Sequence, residues 1–492
     1  MTAQAESRII ETQIRADALE VSTCKINVLP HYLPLKSRSQ FLTVPIDEET
    51  LPSASHNLST IPLAQLKMAD RQVLIIDNGA STIKCGLSTS DSPYVIPNCK
   101  MKVKAERQRQ YIGDQIEDCK DCSGLYYILP HQRGFVINWD VQREIWEYVM
   151  RSKFKSINPK ETDLIFTEPY FDFKSVQNNI DEVLFEEYGF KSVFRTNTGY
   201  LSSINHKSKN SKVDNSTDLQ TTDDTFPLAC LVVDSGFSFT HVAPYVFHDK
   251  KQFIKIKKAV RRVDVGGKLL TNNLKDIISY RQMNVMDETF VINQCKEDVC
   301  FVAKNFEESL RECERNKRNK IVKDYVLPDF TNVKRGFVRE PDWRADRLHP
   351  NPDDPQFVRL GNERFQVPEI IFNPSDIGIN QVGLTEAIID SIESAPKKLH
   401  PLLYSNIVLT GGNANIPGFR ERLIQGIRSY CPDHYDVNIS LPDNPITYAW
   451  HGGKLLHELY GDLLVDDLVV TKKEYDESGE NKRQICVDKF DV

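Results

Sequence analysis

Along this chain, mixed polar stretches are interrupted by short, strongly apolar runs, and three of those runs end alike. At 74–87, LIIDNGASTIKCGL, an apolar run stops at Asp77, turns at Gly79 and resumes as a second strand bearing Lys84. At 228–244, LACLVVDSGFSFTHVAP, the run Leu231, Val232, Val233 ends in Asp234, Ser235 and Gly236 before another strand-like stretch. At 405–419, SNIVLTGGNANIPGF, a third run breaks at Gly411 and Gly412 and continues through Asn413. Apolar runs bounded by glycine turns read as buried strands closed by tight turns. Between them lie helical periods: within 175–190, Val176, Ile180, Val183, Leu184 and Tyr188 share one face. Strand hairpins alternating with helices, in two similar halves, predict an α/β chain.

Three regions break the pattern. Residues 1–72 are rich in Pro, Ser and Thr without sustained periodicity, which predicts a flexible extension. Residues 205–226 are polar and read as an inserted loop. Residues 331–357 mix prolines and charges with Phe337 and Trp343, aromatics that either anchor a partner or pack on their own domain.

Composition narrows the class. A chain of 492 residues has room for two large lobes with insertions. A net charge of −7 argues against a protein whose main work is coating nucleic acid. Three basic segments, 100–110, 255–262 and 315–323, read as DNA or import-receptor contacts or, more simply, as solvated faces. The 11 cysteines have no framework spacing, and the lone CxxC at Cys119 and Cys122 has no second pair at a zinc-like distance. A reduced, intracellular protein is expected, with neither a secretory signal nor a membrane span.

The repeated acid-and-glycine turn has two readings. One is an ordinary surface turn. The other is a phosphate site, because glycine turns let several backbone amides converge on an anion. Magnesium keeps most of its water and needs only one or two carboxylates nearby. Asp77 and Asp234, supplied by two halves, suit a magnesium–phosphate group, with Lys84 reaching in from the second strand. VGGKLL (265–270) and HGGKLL (451–456) lack the Ser/Thr that follows Lys in a P-loop.

On these residues the chain from about 73 to 492 resembles the actin superfamily, and within it the sixth class of actin-related protein, a nuclear class. DNGASTIKCG and DSGFSFTHVAP resemble the two phosphate hairpins, VLTGGNANIPGF the adenosine turn, and GNERFQVPEIIFNPSDIGI (361–379) a long actin-like stretch. The resemblance implies an α/β, two-lobed fold of duplicated ribonuclease-H-like domains, with four subdomains and an interlobe nucleotide cleft. The first lobe would take 73–185 plus 447–492, and the second 186–446. By position, Asp77, Gly79, Lys84, Asp234, Ser235 and Gly236 would serve phosphates, with Mg held through water by the two acids. Lys296 and Glu297 would lie by the nucleoside, and Gly411, Gly412 and Asn413 would form the base-side turn. ATP or ADP with Mg is the implied cofactor.

Four departures weigh against turnover: Ala80 replaces a hydroxyl, Phe237 an acid, Ile446 a lysine beside the adenine, and Glu182 aligns with the water-orienting glutamine. Glu182 is either a general base or an exposed helical acid. The expectation is nucleotide held without hydrolysis, hence no enzyme. The shortened basic segment 98–115 disfavours filaments. The resemblance further implies a nuclear subunit, with the cytoplasm as a second compartment. It would belong to a SWR/SRCAP-type remodeller that exchanges in the Z-form of histone H-two-A. Its partners would be the scaffold ATPase, accessory subunits and, indirectly, histones or nucleosomal DNA, with Phe337 and Trp343 as partner-binding candidates. The competing readings are a cytoskeletal actin-like ATPase with nucleotide-controlled assembly, and a sugar-kinase-like or chaperone-like relative.

Overall fold

The computed structural model describes residues 72–104, 109–213, 229–248, 252–341, 343 and 355–490. All but the last residue of the extension expected at 1–72 and most of the 205–226 segment lie outside them. What is described builds on two six-stranded mixed sheets with the same core topology.

The first sheet runs β20 (Val470–Thr471), β10 (Ser192–Asn197), β9 (Asp163–Glu168), β1 (Val73–Asn78), β2 (Thr82–Leu87), β3 (Tyr94–Pro97). The second runs β13 (Gln252–Lys255), β12 (Thr240–His248), β11 (Ala229–Ser235), β18 (Ile407–Thr410), β19 (Ile439–Ser440), with β14 (Arg261–Val263) also on β12. Each begins with an antiparallel hairpin whose first strand has a parallel neighbour: β1–β2 beside β9, and β11–β12 beside β18. The central strands are buried on both faces, as parallel strands between helical layers must be, which is why they read as unbroken apolar runs. Each sheet carries its own large apolar cluster. Because β10 joins the first sheet, that sheet extends past residue 185, the boundary expected from sequence.

The helical period at 175–190 forms the helix Lys174–Glu182 and a π-helical turn, Val183–Glu187. Val176, Ile180, Val183 and Leu184 are buried, as the spacing requires. The helix Thr198–Val213 enters the segment expected to be a loop from 205 and packs along Tyr448–Leu468. A Cβ on Gly452 would sit 1.8 Å from the Leu201 carbonyl, so the glycines of HGGKLL permit close helix contact rather than phosphate binding.

Smaller sheets decorate the lobes. β4 (Lys100–Lys102), β5 (Tyr111–Ile112) and β6 (Tyr126–Ile128) form one, β7 (His131–Gln132) and β8 (Phe135–Val136) a hairpin. β15 (Lys323–Val326), β16 (Phe337–Arg339) and β17 (Phe357–Leu360) form another, so the expected insertion at 331–357 contributes strands to a sheet. Among the described residues no helix is long and apolar enough to cross a membrane.

Candidate functional site: a cleft between two hairpins

In open α/β sheets, ligands meet the carboxyl ends of parallel strands, where loops diverge. Here the ends of β1, β9, β11 and β18 open onto one cavity of about 480 Å³, within the usual range for small-molecule sites. Its walls include Asp77, Gly79 and Lys84 from the first hairpin, and Asp234, Gly236 and Phe237 from the second. Gly411, Gly412 and Asn413 from the turn after β18 complete it with Lys296 and Glu297. The residues expected to bind nucleotide therefore converge, except Ser235, which lies fully buried behind the second turn.

The two hairpins are superimposable in logic and different in charge. In the first, Asp77 stands opposite Lys84, whose Nζ lies 3.1 Å from its carboxylate, and accepts a 2.7 Å hydrogen bond from Thr167 Oγ1. The turn is braced from behind: Asn98 Nδ2 donates to the Gly79 carbonyl at 2.9 Å, and Trp146 Nε1 to Asn78 Oδ1 at 3.1 Å. In the second, Asp234 stands opposite His241, and its carboxylate accepts from Thr198 Oγ1 at 2.6 Å. His241 supplies no charge. It is packed against Tyr170 and Phe239, its Nε2 has no hydrogen-bond partner among the described residues, and burial holds its pKa well below the ordinary value. Burial pushes the Asp234 carboxyl upward, and Asp77 adds to the push, while Thr198 and Lys84 oppose it.

The third turn is sewn to the second. Asn413 Nδ2 donates to Ser235 Oγ at 3.1 Å and to the Gly236 carbonyl at 2.8 Å. Gly411 has φ +86°, and a Cβ there would stand 2.3 Å from the Ser235 carbonyl. Nothing lies within 4 Å of a Cβ placed on Gly412, which leaves its backbone open to the cavity. Lys296 is buried in the wall and donates to the Gly267 carbonyl, Thr271 Oγ1 and Asn293 Oδ1 at 3.0–3.2 Å. Glu297 is exposed and accepts from Asn293 at 2.8 Å.

Glu182 does not belong to this site. It is exposed at the end of its helix and lies outside the cavity wall, so of its two readings the structure leaves the exposed acid. The side chain that meets the acids from the end of β10 is Thr198. Thr167, Thr198, Thr410 and His241 are among the wall residues that the sequence reading missed. Thr167 and Thr410 share one feature, a place at the end of an apolar run, in LIFTE and IVLTG, that becomes meaningful only once the strands are paired.

Outside the cleft, Phe337 is 48% exposed on β16, whereas Trp343 packs locally between the guanidinium groups of Arg318 and Arg359. Several cations of the basic segments are engaged locally: Lys100 pairs with Glu144, Lys104 with Asp287, and Arg262 stacks on Phe239. The basic tip expected to oppose stacking is thus partly neutralised.

A duplicated pair of α/β lobes, with acid-bearing hairpins facing one cavity across a glycine turn, defines an actin-like fold. The Actin family profile matches residues 68–490, and the chain belongs to the actin family. Its similarity to the actin-related members is extensive. It is 42% identical over 408 residues to Actin-related protein 6 of Drosophila melanogaster, spanning 83% of this chain and 97% of that protein. It is 36% identical over 427 residues to Actin-related protein 6 of Arabidopsis thaliana, spanning 83% and 97%. Actin-like protein ARP6 of Cryptococcus neoformans is 36% identical over 440 residues, spanning 86% and 85%.

Proposed function

We propose that this protein is a non-polymerising, actin-related subunit of a nuclear SWR/SRCAP-type remodeller, in which it holds ATP or ADP with Mg as a structural element and does not hydrolyse it. The observation that carries the reading is how the cleft's carboxylates are engaged. Asp77 and Asp234 suit a water-bridged magnesium ion, and the turns at Gly79, Gly236 and Gly412 suit phosphate and nucleoside contacts. The remaining wall acids are committed elsewhere: Glu168 to Arg195 and Gln177, Glu297 to Asn293. A general base needs a carboxylate or imidazole within reach of the attacking water, and His241 is locked among aromatic rings. Ala80 and Phe237 line the cavity with a methyl and a ring, where the actin resemblance places a hydroxyl and an acid.

The remodeller assignment, with exchange of the Z-form of histone H-two-A, rests on the likeness to the sixth class of actin-related protein. Two measurements test the proposal together. Purified protein incubated with labelled ATP and magnesium should retain nucleotide without releasing phosphate or forming sedimentable polymer. Tagged protein recovered from nuclear extract should bring a remodeller ATPase and histones, identified by mass. Steady phosphate release with polymer would favour the assembling ATPase, and recovery without remodeller subunits would overturn the complex assignment.

A further inference from the structure

The three-stranded sheet β16–β15–β17 carries an organised outer face that the cleft does not use. Side chains alternate across a strand, so Tyr325 and Val358 point into the core and their neighbours point out. The register sets Arg339, Asp324 and Arg359 in one row across the strands, and Phe337, Val326 and Phe357 in the next. Asp324 is fully buried and already satisfied: Arg359 grips it with two bonds, at 2.7 and 3.1 Å. Arg339 approaches the same acid only to 3.8 Å, too far for a hydrogen bond.

Guanidinium groups and rings then alternate. Arg339 lies 4.7 Å over Phe357, Arg359 lies 4.7 Å over Trp343, and Arg318 lies 5.4 Å from the same indole. Stacking occupies the faces of these cations and leaves their N–H edges to donate. Around them, Arg335 pairs with Asp298 and Lys323 with Glu340, so among the described residues the stack keeps three arginines against one buried acid. The strand edges also differ. Gln282 caps β17, donating to the Arg359 carbonyl and accepting from its amide at 2.8 and 2.9 Å. β16 pairs with β15 alone among the described residues, and its Phe337 and Val338 are 48% and 37% exposed.

We propose that this face and the β16 edge dock an extended acidic peptide segment of a partner protein. Its carboxylates meet Arg339 and Arg318, an apolar side chain covers Phe337, and its backbone extends the sheet at β16. A strand edge offers backbone pairing that nucleic acid cannot use, and three arginines are a small surface for tracking phosphates. The inference rests on the reading of this chain as a complex subunit and deepens it by naming the partner's chemistry.

The test pans a displayed library of random dodecapeptides against the full-length protein. Arg318→Glu and Phe337→Ser are run alongside, both at exposed positions and both checked by thermal melting. Enrichment of acidic sequences with an aliphatic or aromatic residue, bound about tenfold more weakly by each variant, is the expected result. No enrichment, enrichment without acidic bias, or equal binding by Arg318→Glu overturns the proposal. A short DNA duplex shifted by wild type and not by Arg318→Glu, with no acidic peptide selected, assigns the face to nucleic acid and overturns it as well. Remodeller recovery from nuclear extract is scored separately, so a failed selection with intact recovery overturns this inference and leaves the proposed function standing.

Discussion

Two aspartates at equivalent positions carry unequal burdens. Asp77 faces a lysine, and Asp234 faces a histidine locked neutral, so the buried Asp234 relies on hydroxyls, above all Thr198. A hydrogen bond to a charged group contributes about 1.5–3 kcal/mol. Thr198→Val should therefore weaken retention of magnesium–ATP by about tenfold or more, and Asp234→Ala should weaken it further. Nucleotide affinity unchanged in both variants would refute the role given to this acid. A second residue-scale effect lies just outside the cleft, where Arg195 serves both Glu168 and Asp181. Burial, reinforced by Glu168, pushes the nearby Asp172 up to about 8, and its Oδ2 has no hydrogen-bond partner among the described residues. Between about pH 4 and 8 the unfolded chain has released this proton while the folded chain keeps it, so this group makes stability fall as pH rises through that window. Asp172→Asn should flatten that decline, which melts at several pH values would register as a smaller drop in Tm than in wild type. Parallel curves would remove Asp172 from the account.

At the scale of elements, the second hairpin, β11–β12, meets a third, β7–β8, through aromatic packing of Phe239 on Phe135. Gly134, at φ +84°, lies so close to Phe239 that a Cβ there would stand 1.7 Å from the ring. Gly134→Ala should cost about 1–3 kcal/mol through overpacking, in addition to backbone strain. In a double-mutant cycle with Phe239→Ala, the steric part should be relieved, giving a coupling of about 1 kcal/mol or more. Strictly additive losses in chemical denaturation would show that the contact has no energetic weight. The hairpins themselves were legible in the sequence because an acid that ends an apolar run is conspicuous, and two of them in separate halves imply duplication. Thr167 and Thr410 occupy the matching strand ends but were not legible, since threonine is common in strands and signals nothing by its type. Glu182 was misplaced for a related reason. The helical period correctly put Val176 and Ile180 inside, but linear position could not show that the chain, having left the cleft after Tyr170, returns to it only beyond β10. Composition left Trp343 with two readings, a partner anchor or local packing, and its stacking with Arg359 and Arg318 supports the second.

For the whole molecule, the cleft is bounded by elements from both sheets, and their remaining contacts govern how readily a ligand leaves. On one side the helices Thr198–Val213 and Tyr448–Leu468 pack closely, with Asn205 Nδ2 donating to the Tyr448 carbonyl at 3.0 Å. Elsewhere the helix Thr289–Val299, which supplies Lys296 to the cavity, begins against the small sheet β5–β4–β6. There both oxygens of Glu288 accept from the Gly124 amide, at 3.1 and 3.2 Å, and Phe290 packs on the apolar cluster of that sheet. The neighbouring Lys104–Asp287 pair is largely exposed, and such surface pairs contribute little once side-chain entropy and salt are counted. The restraint therefore rests on Glu288 and the apolar contact rather than on the ion pair. Glu288→Ala should accelerate release of a fluorescent ATP analogue by about threefold to tenfold, whereas Asp287→Ala should leave the rate nearly unchanged at physiological salt. The retention proposed for this cleft requires that difference, because a site without turnover keeps its nucleotide only as long as the two sides stay joined. Equal release rates for wild type and both variants in stopped-flow measurements would move the control of retention away from this contact and onto the hydrogen bonds of the cleft itself.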